Sequence, residues 1–133
     1  MKTAEQTPVA EAMRHGTLTC QAETSLRTVA ALMVEHRIHS VVVTDLDGVS
    51  ERAWGIVTEA DVVRAFGEDV DRRTAGEMAV TELVTVTPDD TLEHAAQLMA
   101  EHEVTHLVVV GPDSGRPVGV LSSLDLAAEM EAR

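Results

Sequence analysis

A hydroxyl residue followed three positions later by an aspartate occurs twice, each time after a short apolar run that begins with glycine. The first pair is Thr58 and Asp61, and the second is Ser122 and Asp125. A hydroxyl side chain at this place is an N-cap signal, and the free amides of a helix N-terminus attract anions. An ionised carboxylate only accepts hydrogen bonds, so it suits the two hydroxyl donors of a diol. The spacing therefore predicts two strand-to-helix corners that either cap their helices or also bind a ligand.

The corners belong to a longer unit that the chain contains twice, about 65 residues apart, a period too long for a solenoid repeat. Each copy reads as strand, helix, strand, strand, helix, because apolar residues at helical spacing precede a run of valines. Setting Leu26 against Leu92 without a gap aligns identical residues, namely Ala30, Leu32, Met33, Glu35, His36, Val42 and Val43 with Ala96, Leu98, Met99, Glu101, His102, Val108 and Val109. Where the pattern restarts after the first copy, Met78 takes the place of Met13. The sequence predicts repeats at residues 9–67 and 75–131, with a charged connector at residues 68–74.

Capping and turn residues predict where the elements begin. Thr24 or Ser25 should open the first long helix, and Asp90 with Glu93 forms a candidate capping box for its counterpart. Residues 45–48 have the composition of a turn. Because a domain of about 60 residues is marginal alone, we expect the copies to pack on each other, sheet to sheet, around a pseudo-twofold axis.

Composition limits the class of protein. Apolar residues make up 44% of the chain and aromatic residues only 2%, so the core must be aliphatic. The formal net charge of −13 argues against binding to duplex nucleic acid or to an anionic membrane, because the field would repel phosphates. Cys20 is the only cysteine, which excludes an intrachain disulfide. The sequence contains no secretory signal and no apolar run long enough to span a bilayer, so we expect a cytoplasmic protein.

The run from Val84 to Met99 and the two Gly-x-hydrophobic-Ser/Thr-x-x-Asp stretches resemble the tandem CBS-domain module, named after cystathionine β-synthase. The resemblance covers roughly residues 9 to 131, and the chain looks like a stand-alone pair. It implies an α/β (α+β) fold of two β-α-β-β-α repeats. It also implies a regulatory module that senses adenosine-containing ligands (AMP, ADP, ATP or S-adenosylmethionine), with no required cofactor and no enzymatic activity.

The resemblance also implies which residues would bind the ligand. The signature aspartates, Asp61 and Asp125, would accept the ribose hydroxyls, with Thr58 and Ser122 near the ribose or phosphate. Backbone where each long helix hands over to the next strand would edge the base, at Ile38, His39, Ser40, Thr105, His106 and Leu107. The candidate phosphate contacts are Arg14, His15 and Arg116. We expect a homodimer that acts on an unidentified regulated protein.

Other chemistry finds little support in the residues. His36 and His102 occupy matching positions, but the spacing of the six histidines forms no compact ligand set, which favours helix-end or surface roles over a metal site. Cys20 has no evident His and Asp partners, so no catalytic residue is predicted. The alternative to a nucleotide sensor is a ligand-free dimerisation or protein-interaction module, in which both hydroxyl–aspartate pairs are helix caps only.

Overall fold

The computed structural model describes residues 3–44 and 51–132. The turn predicted at residues 45–48 lies outside the described residues. The described elements are a 3₁₀ turn at Val9–Glu11, the strands β1 (Arg14–His15), β2 (Thr19–Cys20), β3 (Ser40–Thr44), β4 (Ala53–Thr58), β5 (Thr85–Val86), β6 (His106–Val110) and β7 (Pro117–Ser122), and the helices α1 (Leu26–His36), α2 (Glu59–Ala65), α3 (Ala75–Met78), α4 (Leu92–His102) and α5 (Ser123–Glu131). The predicted β-α-β-β-α order is confirmed in both repeats.

Each repeat places its two long strands side by side in one sheet. The first sheet has the order β2-β3-β4, and the second has the order β1-β7-β6-β5. The short strand of each repeat pairs in parallel with the first long strand, and the two long strands pair antiparallel. The corresponding registers match, since Val42 lies opposite Ile56 in one sheet and Val108 opposite Val120 in the other. The α/β fold class is therefore confirmed.

The two long helices begin and end in the same way. Ser25 caps α1, and its hydroxyl accepts a hydrogen bond from the Thr28 amide at 3.2 Å. Of the two predicted caps, Thr24 and Ser25, the second is confirmed. Each helix ends at a residue with left-handed backbone, Arg37 with φ 53° and Glu103 with φ 54°. Neither end has a glycine at this position. The Arg37 amide donates to Met33 O and the Glu103 amide donates to Met99 O, and these bonds stabilise the left-handed ends.

The capping box predicted for α4 is wrong. Thr91, one residue after Asp90, is the N-cap, and its hydroxyl accepts from the His94 amide at 3.1 Å. The Asp90 carboxylate instead accepts from the Thr87 amide at 2.8 Å, so it closes the turn before the helix. Asp90 lies one residue before the N-cap, so its side chain belongs to the turn and the Thr91 hydroxyl caps the helix.

The chain folds as two compact units whose boundaries differ from those of the sequence repeats. The inner unit is Leu18–Leu83, and the outer unit joins the residues before Leu18 to those after Leu83. The segment at residues 3–15, here called the first leader, therefore belongs with the second repeat. The segment at residues 69–80, the second leader, belongs with the first repeat. Each leader packs with the repeat that it does not precede.

The leaders satisfy backbone amides that the starts of α1 and α4 leave without a helical partner. In the outer unit, the Leu92 and Glu93 amides donate to first-leader carbonyls, Thr7 O and Glu5 O, both at 2.9 Å. In the inner unit, the Leu26 and Arg27 amides donate to second-leader carbonyls, Arg73 O and Val70 O, at 3.0 and 3.1 Å. The starts of the two long helices are thus occupied by the protein's own backbone.

The predicted match of Met78 with Met13 is wrong by one residue. The Met13 amide donates to Val9 O at 2.9 Å, and the same bond in the second leader runs from the Ala79 amide to Ala75 O at 2.8 Å. Ala79 also takes the place of Met13 in packing, because it lies against Gly55 where Met13 lies against Gly119. The spacing between Leu26 and Leu92 therefore also applies to the leaders, where it pairs Met13 with Ala79. Matching Met13 with Met78 departs from this spacing by one residue.

Both cores are aliphatic, as the composition predicts, and each lies between a long helix and one face of a sheet. The buried residues of the outer core are Val9, Met13, Val86, Leu92, Ala95, Met99, Leu107, Val109 and Leu121. Those of the inner core are Cys20, Val29, Val41, Val43, Val57 and Ala75. In the described part of the chain, no helix has the length and apolar character needed to cross a bilayer.

Candidate functional site

The corner of the inner unit, called the Asp61 corner, lies where β4 runs directly into α2. The Thr58 amide donates to Asp61 Oδ2 at 2.8 Å, and the Thr58 hydroxyl donates to the same oxygen at 3.2 Å. Asp61 is 1% exposed, and it is the one fully buried charged side chain in the described residues. The Arg64 guanidinium donates to the other carboxylate oxygen, Oδ1. Both oxygens of this carboxylate therefore have partners within the protein.

The corner of the outer unit, called the Asp125 corner, repeats the backbone arrangement where β7 runs into α5. The Ser122 amide and hydroxyl donate to Asp125 Oδ2 at 2.8 and 3.1 Å, and the Asp125 amide donates to the Ser122 hydroxyl at 3.3 Å. Ala128 stands where Arg64 stands in the other corner. Within residues 3–44 and 51–132, Asp125 Oδ1 accepts no hydrogen bond, and the residue is only partly buried. This oxygen is available to a ligand.

The residues predicted to edge a base lie beside the corners. Ser40 is opposite Thr58 in the β3–β4 ladder, and His106 is opposite Ser122 in the β6–β7 ladder. The His39 carbonyl accepts from the amide of Glu59, the first residue of α2, at 3.1 Å. The Thr105 carbonyl accepts in the same way from the Ser123 amide at 2.9 Å. The ends of the helix-to-strand segments are thereby fastened to the corners.

The side chains at these segments differ between the corners. His39 Nδ1 lies 3.0 Å from Glu59 Oε2 in the inner unit. In the outer unit, Thr105 Oγ1 lies 3.0 Å from His106 Nδ1. The Asp61 corner thus carries an additional carboxylate, Glu59, where the Asp125 corner carries the neutral Ser123.

Two of the predicted base-edge residues are not equivalent. Leu107 is fully buried in the outer core, on the sheet face opposite that of Ser122, because side chains alternate along a strand. The counterpart of Ile38 is Val104, since their amides bond to Met33 O and Met99 O in the same way. Both Ile38 and Val104 pack against their cores as partly buried residues. The gap-free alignment of the long helices contains the signal that identifies Val104.

The three candidate phosphate contacts lie at different distances from the Asp125 corner. Arg14 is opposite Val120 in the β1–β7 ladder, so it shares a sheet face with Ser122 at a diagonal distance of about 7 Å. His15 Nε2 lies 2.6 Å from Ala10 O, which ties its ring to the first leader. Arg116 precedes β7, roughly 20 Å along the strand from Ser122. Of the three, the structure brings Arg14 to the corner.

The inner unit has no cation at the place of Arg14. Val80 forms the equivalent bridge with Ile56, and it is 42% exposed. The sequence analysis did not identify the contact between Arg64 and Asp61. The signal was present, because Asp and Arg three residues apart on a helix lie on one face.

The remaining polar groups bear on two other kinds of chemistry, a metal site and a reactive thiol. In the part of the chain that the structure describes, no three His, Cys, Asp or Glu side chains lie close enough together to hold a metal ion. His36 and His102 are exposed in the last turns of α1 and α4. Burial raises the pKa of the Cys20 thiol to about 11, which disfavours the reactive thiolate.

The chain contains two β-α-β-β-α repeats, and each has a hydroxyl–aspartate corner. Comparison with known proteins identifies the class of domain that has this arrangement. The family model of the CBS domain matches residues 9–68 and again residues 75–132. The chain belongs to the CBS domain family and contains two such domains in tandem.

The chain is 33% identical over 118 residues to the CBS domain-containing protein YhcV of Bacillus subtilis, a match that spans 84% of this chain and 80% of YhcV. A homoserine O-acetyltransferase of Methanocorpusculum labreanum is 30% identical over 119 residues, but the match spans only 23% of that longer protein and 90% of this chain. CBS domains thus occur both in short proteins and attached to larger ones.

Two solved structures have closely similar folds. The CBS domain pair of protein MJ0100, in complex with 5′-methylthioadenosine and S-adenosyl-L-methionine, has a TM-score of 0.83 at 22% identity, over 95% of this chain and 97% of that one. The CBS domain protein PAE2072 of Pyrobaculum aerophilum, complexed with AMP, has a TM-score of 0.80 at 27% identity, over 96% and 100%. Both structures match nearly the whole chain.

Proposed function

We propose that this protein is a regulatory module that binds an adenosine-containing ligand at its hydroxyl–aspartate corners. The observation that carries the proposal is the Asp125 carboxylate, which keeps one oxygen available beside Ser122 while the other oxygen holds the helix start. The AMP complex of PAE2072, a relative with the same fold over nearly the whole chain, supports an adenosyl ligand.

The chemistry of the corner fits a ribose. A ribose diol offers two hydroxyl donors, and Asp125 Oδ1 is an ionised acceptor that can receive them. Because Oδ2 is already held by Ser122 at 2.8 and 3.1 Å, the carboxylate is oriented before the ligand arrives. An oriented acceptor loses less conformational entropy on binding than a freely rotating one.

Arg14 would neutralise a phosphate in the same corner. It lies on the same face of the sheet as Ser122, its side chain is exposed, and no described residue forms an ion pair with it. A single arginine in a protein with a formal charge of −13 suits a monophosphate or a cationic adenosyl ligand better than a triphosphate. The expected order of affinity is therefore AMP or S-adenosylmethionine first, then ADP, then ATP.

In this proposal the protein makes and breaks no covalent bond. A ligand that binds one packing arrangement of the protein better than another shifts the population toward it, and a regulated partner protein in the cytoplasm responds to that shift.

We further propose a homodimer, since α2 and α5 carry large apolar side chains that are exposed to solvent. Phe66 is 90% exposed and Val63 is 74% exposed on or beside α2, and Leu124 is 70% exposed on α5.

Isothermal titration calorimetry with AMP, ADP, ATP and S-adenosylmethionine tests the proposal. Asp125→Asn keeps the size of the side chain and one acceptor oxygen but removes the charge, and should weaken binding about tenfold or more. Asp113→Asn is the matched control, because Asp113 is exposed in the β6–β7 turn and the variant has the same net charge. Equal affinity in both variants would remove Asp125 from the site, and no binding by wild type would refute the sensor.

A second candidate function is a ligand-free dimerisation module. It is favoured by the Asp61 corner, where internal hydrogen bonds account for both carboxylate oxygens, and by the exposed apolar residues of α2 and α5. Phe66→Ser should then convert a dimer into a monomer in sedimentation velocity, while titration with adenosyl ligands gives no heat in either protein. A Phe66→Ser protein that remains dimeric would exclude this surface from the interface.

A further inference from the structure

We infer that Arg64 competes with the ribose for Asp61, so that the Asp125 corner binds adenosine first and the Asp61 corner binds it only when Arg64 leaves. This inference rests on the proposed function and makes the two corners unequal sites. It assigns to Arg64 the role of a specificity-determining residue that acts through Asp61. The geometry of the two corners carries it.

The competition follows from the positions of the oxygens. In both corners Oδ2 of the aspartate is held by the amide and hydroxyl of the residue that caps the helix, at 2.8 Å and at 3.1 to 3.2 Å. Only Oδ1 remains for a diol. In the Asp61 corner that oxygen accepts from the Arg64 guanidinium, whereas in the Asp125 corner the equivalent residue is Ala128.

The Arg64 contact is stronger than the bond that a neutral hydroxyl would form in its place. A guanidinium–carboxylate hydrogen bond is charge-assisted at both ends, while a ribose hydroxyl donates as a neutral group. Asp61 is 1% exposed while Arg64 is in place, so a ligand must displace the guanidinium to reach Oδ1. The Arg64 side chain itself is 62% exposed, so it can move away into solvent once another donor is present.

The charges around the corners act in the same direction. The first turn of α2 in the Asp61 corner has two acidic residues, Glu59, which contacts His39, and Asp61, which contacts Arg64. Removing Arg64 from Asp61 to admit a ligand would take the arginine away from a first turn with two acidic residues, and this disfavours an anionic ligand further. The Asp125 corner has Ser123 in place of Glu59 and Arg14 on the neighbouring strand.

The test exchanges the arginine between the corners. Arg64→Met keeps the aliphatic stem and removes the guanidinium, and Ala128→Arg introduces the guanidinium three residues after Asp125. Ala128→Met is the matched control for added side-chain volume at position 128. Adenosine is the ligand, because it has the diol and no charge, so a changed affinity cannot come from long-range attraction to a phosphate. Circular dichroism and thermal unfolding confirm that each variant is folded.

The expected result is a change in the number of sites as well as in affinity. Wild type should bind one adenosine per chain, and this site should be lost in Asp125→Asn and kept in Asp61→Asn. Arg64→Met should gain a second site per chain, which Asp61→Asn then removes. Ala128→Arg should weaken the first site about tenfold relative to Ala128→Met. Titration of 2′,3′-dideoxyadenosine into wild type or into any variant should give no saturable heat, because this ligand lacks the diol.

The results that overturn the inference are distinct from those that overturn the proposed function. If Asp61→Asn and Asp125→Asn each remove half of the sites in wild type, the protein binds adenosine but Arg64 is no competitor. If Arg64→Met weakens binding, or Ala128→Arg strengthens it, the arginine assists the ligand and the inference is wrong. If no protein in the series binds adenosine or AMP, the proposed function falls and the inference falls with it.

Discussion

The inner and outer units have the same backbone but different chemistry at their corners. In both, a strand ends at a hydroxyl residue whose amide donates to an aspartate three residues later at 2.8 Å. Around that common frame, Arg64 is replaced by Ala128, Glu59 by Ser123, and Val80 by Arg14. One unit closes its aspartate with an internal cation, and the other leaves it available with a cation on the adjacent strand.

The capping geometry of the two corners is therefore independent of the neighbouring charges, on which the proposed ligand binding would depend. Capping needs only the hydroxyl, the aspartate and the backbone of the first turn, so both repeats retain it. Ligand binding also needs an accessible carboxylate oxygen and a favourable local charge, which neighbouring side chains control. Variants that affect one unit and not the other therefore measure how far the two units are alike.

The largest effect should come from deleting the first leader, residues 3–15. This removes the buried side chains of Val9 and Met13 from the outer core, worth about 4 kcal/mol of unfolding free energy together. Hydrogen exchange should show loss of protection at the Leu92 and Glu93 amides, which donate to leader carbonyls. The Leu26 and Arg27 amides, held by the second leader, should keep theirs. Equal loss at all four amides would show that the units do not unfold separately.

Alanine at two equivalent glycines should separate the units by packing. A Cβ at Gly119 would lie 2.5 Å from the Arg14 carbonyl oxygen, so the backbone of β1 would have to move. A Cβ at Gly55 would lie 3.1 Å from Ala79 Cβ and Val80 O, which requires a smaller shift. Gly119→Ala should lower the unfolding free energy by about 3 kcal/mol and Gly55→Ala by about 1 kcal/mol in urea titrations. The reverse order would contradict the closer approach at Gly119.

Alanine at the two aspartates should separate the units by burial. Asp61→Ala removes a buried carboxylate with three hydrogen bonds, and should cost about 2 kcal/mol of unfolding free energy. Asp125→Ala removes a partly buried helix cap, and should cost about 1 kcal/mol. Thermal unfolding measures both, with Asp113→Ala as the surface control. A larger loss at Asp125 would mean that the Arg64 contact adds no stability to the Asp61 corner.

The smallest effect concerns Cys20, whose counterpart in the outer unit is Val86. The folded thiol has a pKa raised to about 11 by burial, against 9.0 for an ordinary thiol. Because the fold favours the neutral thiol, Cys20 contributes to the free energy of unfolding below pH 9, and this contribution is lost as the pH rises toward 11. Alkylation at pH 8.5 should be roughly a hundredfold slower in folded than in urea-unfolded protein. Cys20→Val should remove the alkaline decline in stability, and similar alkylation rates would show an accessible thiol.

Local sequence signals predicted much of the fold. The order of elements, the helix start at Ser25 and the two hydroxyl–aspartate corners depend on residues within about one helical turn of each other, where periodicity and capping act. The misplaced features were also local. Asp90 served the preceding turn and Ala79 matched Met13, because several nearby residues could fill the same role.

Residue types and their spacing establish that the chain contains two copies of one unit, and which hydroxyls and carboxylates stand at their corners. The packing of each leader with the repeat that it does not precede is evident only in the folded chain, because the backbone amides that a leader satisfies lie far away in sequence. The fold also buries Asp61 and places Arg14 on the face of Ser122. These contacts depend on burial and strand register, which arise when distant segments meet.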